Sequence, residues 1–238
     1  MRFHRHNLSG SIAGLALLGA SVAIANDSAI ENVGGTIKAM QEHPSVSLVA
    51  EYVHVWLAAD SVQVECIFYL KNSGASTLVQ MGFPELAAGV DVREPSRFSN
   101  FKSWVDGTEI KTVAVSQPSD IPEGGHWTWW VKEVRFEAGA TRVVRDRYVA
   151  APGGNALGDL LFEYILYTGA SWAGRIDIAD IVVTVPDTFE LVDIEPKGWI
   201  RSNGEICWHL QDFEPGHRDN GIVSLRWKIA GSAEEHEK

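Results

Sequence analysis

Three groups of residues in this sequence have the types and spacing to do chemistry. In "TGASWAGRI", Gly169 and Ser171 approach the glycine-x-serine-x-glycine elbow, which lifts a serine oxygen out of a tight strand-to-helix turn as a nucleophile. In "QDFEPGHRDN", Asp212, Glu214, His217, Asp219 and Asn220 gather carboxylates, an amide and an imidazole in one loop. Those are donors for Ca²⁺ or, through the histidine, a transition ion. In "GGHWTWWVKEVRFEAG", Trp127, Trp129 and Trp130 put three indoles within four positions, enough for a sugar-stacking platform.

Each group has a plainer reading. Ala173 stands where the second glycine of the elbow should be, and a strand-like run from Arg175 follows instead of a helix. That favours a glycine-framed turn with Trp172 tucked into the core. The acidic loop fits neither an EF-hand nor a zinc spacing, so a solvated loop competes with a weak metal site at Asp212, Glu214, His217 and Asp219. No phosphate-binding glycine loop, HExxH or CxxC occurs. Paired carboxylates for glycoside hydrolysis leave no short signature, and 31 acids guarantee that some lie close together. His54, between Tyr52 and Trp56 in a strand-like run, reads as a packed histidine. No cofactor is indicated.

The elements that must position these groups read as strands. Runs at 46–58, 62–72, 77–83, 98–105, 109–115, 127–136 and 141–150 precede "APGGNALG", and runs at 161–168, 175–185, 205–211 and 222–229 follow it. β-Branched and aromatic residues fill them, and Asp106-Gly107 and Asn203-Gly204 are two-residue hairpin signals. The Phe83-Pro84 step reads as a strand end, because proline lacks a donor. One helical candidate, "AIENVGGTIKAM", is weakened by its double glycine. The expected fold is all-β: an antiparallel β-sandwich over 26–150, with 151–238 as a second β layer or small β-sandwich packed on it.

Parity in the 127–136 run separates two faces. Trp130, Val134 and Phe136 form an apolar row for the core, with Lys132 expected to snorkel outward. Trp127, Trp129 and Val131 share the opposite face, which ends in Glu133 and Arg135. The segment after Gly154, or a glycan, should cover the two indoles.

Several stretches resemble a family of exported bacterial all-β proteins catalogued only as a domain of unknown function. They are "NSGASTLVQMGFPE", "FSNFKSWVDG", "WVKEVRFEAG", "YILYTGASWAGRI" and "WHLQDFEP", in consistent order over most of the chain. The resemblance implies a secreted all-β architecture and supplies no catalytic residue, cofactor or substrate. It also implies that the link from Val115 to Trp127 is short, so a function carried by a longer insertion there would be missing.

Residues 1–25 fit a secretory signal peptide. Arg2 and Arg5 precede an apolar run, and Ala23-Ile24-Ala25 offers the small-x-small cleavage pattern. Their removal takes two arginines and no acid, so a net charge of −11 becomes −13. Such a chain gains nothing electrostatically from nucleic acid. No membrane span is expected after cleavage. Cys66 and Cys207 are the only cysteines; an oxidising compartment favours a bridge, whereas alternation turns Cys66 inward and Cys207 outward. The functional expectation is a periplasmic or extracellular binding or assembly module, with an envelope or extracellular protein or a glycan as partner. That module is expected to be non-enzymatic; the alternatives are a carbohydrate-binding module using Trp127 and Trp129 or, ranked last, a secreted hydrolase. Fusing residues 1–30 to a periplasmic reporter should give activity outside the cytoplasm, and the exported protein should begin at Asn26. An exported chain that still begins at Met1 would overturn the leader reading.

Overall fold

The computed structural model describes residues 21–33, 36–88, 98–118, 125–214 and 221–230, so most of the leader lies outside the described residues. The chain opens with β1 (Ser21–Ala25), β2 (Ser28–Val33) and β3 (Thr36–Ala39), then the longer β4 (Val46–Leu57), β5 (Val62–Asn72) and β6 (Thr77–Ala88). Next come β7 (Ser99–Val105), β8 (Thr108–Ile110), β9 (Val113–Pro118), β10 (His126–Phe136) and β11 (Thr141–Ala150). The remainder supplies β12 (Gly153–Gly154), β13 (Leu160–Ile165), a 3₁₀ turn at Tyr167–Ser171 and β14 (Ile176–Thr184). It ends with β15 (Phe189–Glu195), β16 (Ile200–Ser202), β17 (Glu205–Phe213) and β18 (Ile222–Ile229).

These strands form the expected all-β sandwich. One sheet runs β15-β18-β13-β1-β6-β10-β9, with β12 on β13 and the β2–β3 hairpin joined to β6. The other runs β16-β17-β14-β4-β5-β11-β7-β8. Most ladders are antiparallel, but β1 with β13 and β14 with β4 are parallel. Strands from before and after Gly154 therefore share both sheets. Val64, Phe68, Phe83, Phe136, Tyr148, Ile181, Trp208 and Trp227 lie in one continuous core between them.

Local chemistry explains the turns. Asp106 and Gly107 take φ of 49° and 80°, and Asn203 and Gly204 take 50° and 79°, the left-handed pairs that a tight hairpin requires. The run expected over 109–115 divides instead into β8 and β9, because the chain leaves β7 in one sheet and joins β10 in the other. The weak helical candidate is the β2–β3 hairpin, with Val33 opposite Thr36. Pro84 does not end its strand. β6 pairs with β2 at residues 81 and 82 and with β1 at residues 85 to 88, so Phe83 and Pro84 have no ladder partner on that side. The missing N–H falls where none is needed.

Lys132 corrects the sequence reading most sharply. It does not snorkel: its side chain is 0% exposed, with Nζ 2.5 Å from Asp146 Oδ2 on β11 and 2.7 Å from Asp27 Oδ2. Parity alone points it inward between Trp130 and Val134, and two carboxylates are there to meet it. Burial pulls its pKa down, but the charges of Asp146 and Asp27 outweigh that and raise it. Asp27 is held well above the carboxylate range, first by burial and then by the neighbouring Asp146. Lys132→Met would leave two buried acids without their cation. It should lower the unfolding free energy by about 3–5 kcal/mol, as breaking a buried ion pair does. Urea unfolding measures this, and a loss below about 1 kcal/mol would contradict so buried a cluster.

Candidate ligand-binding site

The face of β10 opposite the core builds the candidate site. Trp129 lies under the N-terminal hairpin, packed with Ile30 of β2 and Ile37 of β3, and is 5% exposed. Gly82 makes room for it: a Cβ there would sit 2.8 Å from Trp129 Cε3 and 3.0 Å from Ile30 Cγ2. Gln117 at the end of β9 clips the hairpin in place. Its Oε1 accepts from the Ile37 N–H at 2.9 Å and its Nε2 donates to the Ile37 carbonyl at 2.8 Å, imitating a strand partner.

Trp127 is half-buried. It packs against this hairpin cluster and also against Leu86 and Ile165, a pair that Tyr167 and Ile222 flank as well. Both coverings are the protein's own, one from the N-terminal hairpin and one from beyond Gly154. The sequence pattern alone points only to the second. The ring centroids of Trp127 and Trp129 are 6.1 Å apart at 34°. Between them, β3, Gln117 and the turn at Tyr167 and Thr168 lies a cleft of about 440 Å³, with exposed Lys38 at its wall. That volume falls within the range of small-molecule sites. Trp130, by contrast, turns to the core side and stacks on Phe101 at 4.7 Å.

Behind the cleft sits a polar network that sequence reasoning missed. A register shift between Leu48 and Ala50 switches β4 from even to odd residues facing inward, which brings Glu51 into the core. Glu51 is fully buried; it accepts from Tyr164 Oη at 2.6 Å and Asn26 Nδ2 at 2.9 Å. Burial pushes its pKa from 4.5 up to about 7, against those two donors. Thr168 Oγ1 donates to Asn26 Oδ1 at 2.6 Å, and Gly169 packs so tightly that a Cβ would lie 2.9 Å from Asn26 Nδ2.

The other sequence candidates fare differently. Ser171 is buried in the 3₁₀ turn, where its Oγ accepts from the Ala29 N–H at 2.9 Å, a structural bond. Trp172 is 1% exposed and donates its indole N–H to the Asp27 carbonyl, so the glycine-framed core turn is the right reading. His54 stacks on Trp56 at 3.9 Å and hydrogen-bonds Thr184. Cys66 is buried beside Tyr164 Oη at 3.6 Å, Cys207 is half-buried, and both are free. Asp212 is exposed and pairs with Arg175 at 2.8 Å, and Glu214 is exposed. His217, Asp219 and Asn220 lie outside the described residues, and no metal-ligating cluster occurs among those described.

No protein-family model and no curated protein matches this chain. Among solved structures it is similar to one from Legionella pneumophila described as a candidate nutrient binding protein. The TM-score is 0.66 at 16% identity, over 89% of this chain and 72% of that one. The likeness is one of fold. An M1 zinc metallopeptidase from Deinococcus radiodurans aligns at a TM-score of 0.39 and 10% identity, over 78% of this chain and 43% of that one. That is too distant to carry an argument. No helix among the described residues is long and apolar enough to cross a membrane.

Glu51 gives the site a pH signature. Its folded pKa lies above its unfolded value, so the unfolded chain loses this proton first as pH rises. Stability from this group is greatest below pH 4.5 and falls until about pH 7, by about 3 kcal/mol in all. Glu51→Gln should flatten the dependence over that window in denaturant unfolding. An unchanged slope would place the titration elsewhere.

Proposed function

We propose that the chain is an exported, non-enzymatic binding module that holds a small solute in the cleft beside Trp127 and Trp129. The observation that carries this is the half-buried Trp127 in the wall of a 440 Å³ cleft, over a hairpin fixed by Gln117. A flat apolar ring suits the indole face, and exposed Lys38 offers a charged group at the margin. A sugar ring has that chemistry: apolar C–H faces and a hydroxyl rim. The fold likeness to a candidate nutrient binding protein supports a binding role, and the leader-like residues 1–25 support export to the periplasm or beyond. The acidic balance disfavours nucleic acid as a partner.

The two indoles divide the labour. Trp129 anchors the hairpin, and Trp127 presents its ring to the cleft. Calorimetric titration with panels of mono- and oligosaccharides should find a ligand whose affinity drops about tenfold or more in Trp127→Ala, as loss of a stacking contact predicts. The Tm should fall less in that variant than in Trp129→Ala. Ligand binding indifferent to Trp127, or no saccharide bound at millimolar concentration, would overturn the assignment.

A further inference from the structure

The seat of β1 points past solute binding. This strand lies inside its sheet, antiparallel to β6, with Ser21 opposite Ala88 and Ile24 opposite Glu85. It is parallel to β13, with Ala23 opposite Glu163 and Ala25 opposite Ile165. Among the described ladders it alone bridges these two strands. It ends at Ala25, the last residue of the Ala23-Ile24-Ala25 cleavage pattern.

The residues just beyond Ala25 are fixed in place. Asn26, Asp27 and Ser28 are completely buried. The Asn26 N–H donates to the Ile165 carbonyl at 3.0 Å, and Asn26 Nδ2 donates to Glu51. Asp27 is bound to Lys132, while its carbonyl accepts from Trp172 Nε1 at 2.9 Å. Ser28 Oγ donates to the Thr168 carbonyl at 3.1 Å. A cut after Ala25 frees β1 but leaves the new terminus held, so the retained chain cannot slide up and refill the seat. β6 and β13 would then stand two strand spacings apart, about 9–10 Å, each with a bare row of main-chain donors and acceptors. Such rows inside a sheet are costly to leave unpaired.

We infer that processing after Ala25 turns this seat into a strand-acceptor slot, filled by an extended strand of a partner polypeptide with small and apolar side chains. The inference rests on the export reading above. The segment seated there in the full chain, Ser-Val-Ala-Ile-Ala, gives the occupant's chemistry: extended backbone bonded on both edges and no side chain larger than isoleucine. Affinity comes from main-chain pairing, as in other cases of strand addition.

The test uses protein exported from the full-length gene, and its intact mass is measured first. A mass beginning at Asn26 is expected; one retaining Ser21–Ala25 overturns the inference at the processing step. Hydrogen exchange of the processed protein should show fast amides at those positions of 85–88 and 163–165 whose N–H groups face the vacated seat. A blocked synthetic peptide, Gly-Ala-Ser-Val-Ala-Ile-Ala (residues 19–25), should protect them and raise the Tm by several degrees. The same peptide carrying Ala23→Pro should do neither. Slots already protected without peptide, or unaffected by it, overturn the inference although processing is correct. Protection only by the peptide with free termini would point to a free oligopeptide as ligand, and would overturn the partner strand.

Discussion

One buried cation organises this molecule. Lys132 reaches from β10 in one sheet to Asp146 on β11 in the other, and on the way it fixes Asp27 of the N-terminal segment. Desolvating three ionisable groups costs several kcal/mol each, and only close pairing offsets that. Lys132 Nζ makes two contacts under 3 Å, while Asp27 Oδ1 and Asp146 Oδ1 have no hydrogen-bond partner among the described residues. The return is positional. With Asp27 held, Asn26 can bond Glu51, Ser28 can bond Thr168, and the next residues enter β2 at the right register beside β6.

From that point the hairpin β2–β3 is laid over the outer face of β10. A single strand thus serves two ends. Its even residues, Trp130, Lys132, Val134 and Phe136, build the interior. Its odd residues begin as a covered apolar surface at Trp127 and Trp129 and end as solvated Glu133 and Arg135. The cleft lies along the edge of this covering: β3 packs on Trp129 through Ile37, and its four residues line the cleft that Trp127 also walls.

Much of this was legible in the sequence because it depends on local pattern. Alternation located most strands, Asp106-Gly107 and Asn203-Gly204 marked their hairpins, and the glycines around Trp172 indicated a buried ring. Residue parity separated the two faces of β10. The hidden part depends on partners distant in sequence. A lysine in an apolar row normally reads as snorkelling, and nothing near Lys132 announces Asp27 or Asp146. Glu51 reads as solvent-facing unless the β4 register shift is foreseen, although the sequence does change phase between Leu48 and Val53. The cleft draws on β3, β9, β10 and the 3₁₀ turn, segments that only the folded topology brings together. Pro84 misled because its missing donor falls in a gap between two ladders.

The parallel ladder between β4 and β14 has a kinetic consequence. Its partners, such as Ala50 and Ile178, are 128 positions apart, and β14 is the link between β4 and the β16–β17 pair. Such a joint forms only after a large loop closes, and contacts of this range slow folding relative to hairpins. During synthesis β4 must therefore wait with one edge open until most of the chain exists. A polypeptide that assembles so late keeps an unfolded, threadable form for longer than one built from neighbouring hairpins alone.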